Sequence, residues 1–128
     1  MDLHIFLAIY GKTALPRLAR ATGKAVPAYY WQLIAGARSI SYAEAKKIVD
    51  AHEHFDVVSL MESHQRGAVE PDEATAMRRA RKFMKAHGIP GSPAGRMGPA
   101  RPLDLKARVL NDRAKSLNKS RVLARTAV

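Results

Sequence analysis

Apolar residues recur at helical spacing along most of the chain, and nowhere do they alternate over four or more positions as a half-buried strand requires. Leu3, Phe6, Leu7 and Tyr10 share one face of a first short helix, which Gly11 ends. Thr13 reads as the N-cap of a second helix that turns Leu15, Leu18 and Ala19 inward and stops at Gly23. Pro27 suits the first position of a third, which runs through Tyr30, Leu33 and Ile34 to Gly36. Ser41-Tyr42-Ala43-Glu44 is a capping box, in which hydroxyl and carboxylate each satisfy an orphaned backbone N–H. It opens a fourth helix with Tyr42, Ala45, Ile48, Val49 and His52 on one stripe. Val57, Leu60, Met61 and His64 mark a fifth. Helices of this number and length can bury one core, so residues 1–66 read as a single unit.

Pro71-Asp72-Glu73 starts a longer helix, ended by Gly88, with its acidic residues at the positive end of the dipole. One face holds Ala76, Met77, Ala80, Phe83 and Met84, while the other holds Arg78, Arg81, Lys82 and Lys85, with Arg79 at the border. We therefore set 67–88 apart as a basic amphipathic helix. Residues 89–102 contain four prolines and three glycines, too many for a helix, and read as a linker. From Leu103 the chain is again helix-compatible, with Leu103, Ala107, Leu110, Ala114 and Leu117 on a stripe, and residues 103–128 read as a basic tail, partly disordered when alone.

Charge sharpens this picture. The chain of 128 residues carries 22 Lys and Arg against 11 Asp and Glu, a formal net of +11. Residues 1–64 hold seven basic and six acidic residues, whereas 65–128 hold fifteen and five. Seven of the eight Phe, Trp and Tyr lie in the first half. This asymmetry points to a folded module with a cationic arm whose partner is a polyanion. There is no cysteine, which excludes a disulfide scaffold, a thiolate zinc site and a cysteine nucleophile. No stretch has the roughly 18 to 20 apolar residues that a membrane span needs, and no basic stretch leads into a long apolar one at the start, so a cytoplasmic protein is expected.

The segment Leu18–Gly36, LARATGKAVPAYYWQLIAG, carries the functional signal. A helix-turn-helix needs a small residue where its helices cross, here Ala19. It needs a glycine in the turn, here Gly23, and two apolar anchors three apart, here Tyr30 and Leu33. With Arg38, Ile40 and the Ser41 capping box following, the chain resembles the Cro/cI-type helix-turn-helix family, within it the small YdaS-like prophage regulators. The shared order is L-A-x-A-x-G, then P-A-Y-x-x-Q, a glycine and I-S, over about residues 1–62. The turn is one residue longer than that pattern, which we assign to Lys24.

The resemblance implies an all-α, five-helix, lambda-repressor-like domain that binds double-stranded DNA with its third helix in the major groove, as a homodimer. At 100° per residue, the side opposite Tyr30 and Leu33 carries Pro27, Ala28, Trp31, Gln32 and Ala35. Gln32 is its polar reader, a residue type that commonly pairs with adenine, and Ala28 can touch a thymine methyl. Trp31 would share that face, or anchor a second protein. Lys12, Arg17, Lys24 and Arg38 flank the motif where phosphate contacts belong. Arg78, Arg81, Lys82 and Lys85 extend the cationic surface. An arm that neutralises about six to eight phosphates gives log affinity against log salt a slope of roughly −5 to −7.

These readings define a transcriptional regulator of phage or prophage type. An architectural or packaging DNA-binding protein with little sequence preference is the alternative, favoured by a third helix poor in hydrogen-bond donors. A protein-interaction module with an RNA-binding tail is a third. No Ser/His/Asp order, phosphate-binding glycine loop or paired carboxylates support catalysis. His52 and His54, two apart on an expected helix, should face different ways, and Glu53 belongs to no HExxH pattern, so neither metal, cofactor nor small-molecule substrate is expected.

Overall fold

The computed structural model describes residues 1–98, 101–103 and 105, and the described chain is all-α. Its helices are α1 (Leu3–Tyr10), α2 (Ala14–Ala21), α3 (Ala28–Ile34), α4 (Tyr42–Ala51), α5 (Val57–Ser63) and α6 (Glu73–Ala86). The tail stripe at Ala107, Leu110, Ala114 and Leu117 lies outside the described residues. Among those residues no helix is long and apolar enough to cross a membrane.

Short side chains start most of the helices. The Asp2 carboxylate accepts from the Ile5 N–H (2.9 Å), Asp56 from Ser59 (3.0 and 3.2 Å) and Asp72 from Thr75 (2.8 Å). Ser41 Oγ accepts from the Glu44 N–H at 3.2 Å, but only half the expected capping box forms, because the Glu44 carboxylate turns to Lys24 and Lys47 instead. Thr13 makes no side-chain cap. Ala14 and Leu15 donate instead to the carbonyls of Gly11 and Lys12 (3.1 and 3.2 Å), so a backbone turn does the work assigned to the hydroxyl.

α1 is buried nearly all round, not along a single stripe: Leu3, His4, Phe6, Leu7, Ala8, Ile9 and Tyr10 are all buried. Leu15, Leu18, Tyr30, Leu33, Ile34, Ile48 and Leu60 share its core, and α6 packs on it with Ala80 and Met84 buried. The helix that the sequence set apart at 67–88 therefore shares the core of residues 1–66.

The stretch read as a linker completes α1. Ala94, Gly95 and Arg101 donate their N–H groups to the carbonyls of Ile9 (2.9 Å), Ala8 (2.9 Å) and Tyr10 (3.4 Å), and Gly11 donates to Leu7 (2.8 Å). All four terminal carbonyls of α1 are thereby satisfied. Within this strap Pro93 and Gly95 are buried.

His64 ties three helices together. Its Nε2 accepts from the Leu3 N–H (2.9 Å), so its Nδ1 is the protonated nitrogen that donates to the Leu33 carbonyl (3.3 Å). Burial first, and the neighbouring His4 ring second, push its pKa down to about 4. Burial likewise lowers that of His4, whose ring lies 4.8 Å from that of His64.

Candidate nucleic-acid interface

The turn between α2 and α3 is built from backbone geometry and one buried hydroxyl pair. Gly23 takes φ +82°, its N–H donates to the Arg20 carbonyl (3.2 Å), and the Lys24 N–H donates to Ala19 (2.7 Å). These two bonds form a Schellman motif, which only a residue at ease with positive φ closes cheaply. The residue assigned as an insertion, Lys24, thus provides the outer of the two closing bonds. Thr22 Oγ1 donates to the Leu18 carbonyl (3.0 Å) and accepts from the Tyr30 hydroxyl. Burial holds the Tyr30 phenol far above its ordinary pKa, so it is a neutral donor.

With Tyr30, Leu33 and Ile34 in the core, α3 leaves Ala28, Gln32 and Ala35 exposed on a common ridge. Trp31 departs from the expected arrangement. It is half-buried against the core on the flank of that ridge, with the Arg96 guanidinium 5.6 Å from its ring. The opposite flank is Tyr29, whose ring receives Lys24 Nζ at 4.3 Å and the Arg38 guanidinium at 4.8 Å. The ridge is therefore bordered by cations on both sides.

The cations differ in how committed they are. Lys24 is paired to Glu44 (3.2 Å), and Arg96 to Glu70. Lys12 and Arg17 are exposed, and the Lys12 N–H donates to the Arg96 carbonyl (3.1 Å), which places Lys12 beside the strap. Arg78, Arg81, Lys82 and Lys85 are exposed along α6, and none forms an ion pair or hydrogen bond with α3 among the described residues. They make a second cationic surface.

Two members of the site escaped the sequence reading. Tyr29 sits beside the anchor Tyr30, and helical periodicity marks it neither as core nor as ridge. Arg96 lies in a non-helical, proline-rich stretch, where no periodicity places it. Its N–H donates to Glu73 Oε1 (3.3 Å), which links the strap to the start of α6.

The histidines correct one expectation. α4 ends at Ala51, so His52 and His54 are not on a helix, and their rings approach to 5.1 Å. With Tyr10, His87 and Arg101 they line a cleft of about 550 Å³. The described residues gather no group of three or more side chains able to hold a metal ion. Compared with protein-family models, curated proteins and solved structures, the chain matches none.

Proposed function

We propose that this protein is a non-enzymatic, sequence-specific DNA-binding regulator of phage or prophage type, working in the cytoplasm, in which α2 and α3 act as a helix-turn-helix. The observation that carries the reading is the exposed ridge of Ala28, Gln32 and Ala35 between cation-bearing flanks. A helix fits the major groove, which is about 12 Å wide. Small residues allow close approach there, and one amide supplies readout. Lys24 and Arg38 on one flank and Arg96 on the other border the ridge, the exposed Lys12 and Arg17 add charge, and the α6 cations add phosphate contacts that carry affinity without sequence information.

A second reading, an architectural DNA-binding protein, is favoured by a specific feature: two of the three ridge side chains are alanine, while Arg78, Arg81, Lys82 and Lys85 form no ion pair among the described residues. Titration of labelled duplexes at two salt concentrations decides between them. The DNA upstream of its own gene, bound about a thousandfold more tightly than unrelated DNA, supports a regulator. A ratio near one supports the architectural role, and no binding at low salt rejects both.

A further inference from the structure

The one polar side chain on the α3 ridge is already engaged. Arg38 Nη1 donates to Gln32 Oε1 across 3.1 Å. A guanidinium has donors only, so the amide end facing it must be oxygen, and the Nε2–H₂ end is turned outward.

The backbone brings these two residues together. Gly36 (φ +73°) reverses the chain after α3, and the Ala37 N–H donates to the Gln32 carbonyl (2.9 Å), which folds the next residue, Arg38, back beside Gln32. Ser39 Oγ accepts from the Arg66 N–H (2.9 Å) and fixes the far side of the loop. The Arg38 guanidinium rests on the Tyr29 ring, which stands edge-on to buried Tyr30 at 5.5 Å. Lys24, shared between that ring and Glu44, closes the cluster. Arg38 is held by an aromatic face along its side and by an amide oxygen at its tip.

A lone glutamine offers an acceptor and a donor, the complement of adenine. Here the outward edge consists of the Gln32 Nε2–H groups and the unused N–H groups of Arg38. In the major groove guanine presents two adjacent acceptors, N7 and O6, whereas adenine puts its N6–H₂ donor where O6 would stand. We infer that the Gln32 amide recognises guanine through its Nε2–H groups, with Arg38 the positioning residue that fixes the amide with its NH₂ outward. The inference rests on the reading that α3 enters the major groove.

Selection from a pool of randomised duplexes by the full chain tests it. The wild type selects guanine, by roughly ten- to a hundredfold over adenine, at one position that Gln32→Ala leaves unspecified. Arg38→Ala frees Oε1 and moves the preference at that position towards adenine. Lys46→Ala removes an exposed charge on α4, outside the proposed interface, and leaves the guanine preference in place. Adenine selected by the wild type, or guanine retained by Arg38→Ala, overturns the inference and leaves the regulator reading standing. So does a selected sequence with no Gln32-dependent position. Failure to bind any duplex at low salt rejects the regulator reading itself.

Discussion

The Tyr30 hydroxyl donates to Thr22 Oγ1, spanning the turn between α2 and α3 inside the core. The two partners are not equivalent. Thr22 spends its own proton on the Leu18 carbonyl, so Tyr30→Phe leaves no donor unsatisfied and should cost about 1 kcal/mol. Thr22→Val leaves the fully buried phenol without an acceptor and should cost about 2 to 3 kcal/mol. Chemical denaturation of the two variants and their double mutant checks this, the double mutant falling below the sum of the singles. Equal costs for the singles would contradict the assigned donor directions.

Gly23 and Gly36 share a positive φ but not their surroundings. A Cβ at Gly23 meets nothing within 4 Å, so Gly23→Ala should cost only the left-handed strain, about 1 kcal/mol. A Cβ at Gly36 falls 2.2 Å from the Ala68 carbonyl oxygen, and that backbone is held in place because the Gly67 N–H donates to the Gly36 carbonyl (2.9 Å). Gly36→Ala should therefore cost several kcal/mol in the same assay, and it should also displace Arg38 and weaken base preference.

Acid should destabilise the fold through its buried histidines. Folded His64 has its pKa depressed to about 4, against about 6.5 in the unfolded chain, so between those values the unfolded state binds more protons. Stability is complete above about pH 6.5 and falls as the pH drops towards 4, by on the order of 3 kcal/mol from this residue. His4, also depressed, acts in the same direction. Thermal melts between pH 7 and pH 4.5 measure the slope, and a flat profile there would refute the assignment of a neutral His64 between Leu3 and Leu33.

Neutralising the α6 surface separates affinity from readout. Changing Arg78, Arg81, Lys82 and Lys85 together to Gln should flatten the salt slope by about 3 to 4 units, weakening specific and unrelated duplexes alike. Loss confined to one sequence would mean that α6 itself touches bases.

What the sequence disclosed was what short-range physics encodes. The 100° rotation per residue correctly set Tyr30 and Leu33 inside and Ala28, Gln32 and Ala35 outside. Trp31 differed because its flank of α3 is where Arg96 comes to lie, and that position is set by backbone bonds from a segment without periodicity. The stripe of Ala76, Ala80 and Met84 announced a buried face but not its partner, since an amphipathic pattern carries no address. The Arg38–Gln32 bond depends on the loop after Gly36, where turn chemistry decides direction and hydropathy is silent.

The strap over α1 also orders events in time. The carbonyls at the end of α1 are made before the N–H groups of Ala94, Gly95 and Arg101 that donate to them, with most of the described chain added in between. Until those residues have been added, the last three carbonyls of α1 lack these partners. A message cut short, or an expression vector trimmed at the first proline-rich boundary, yields a chain whose first helix is never finished.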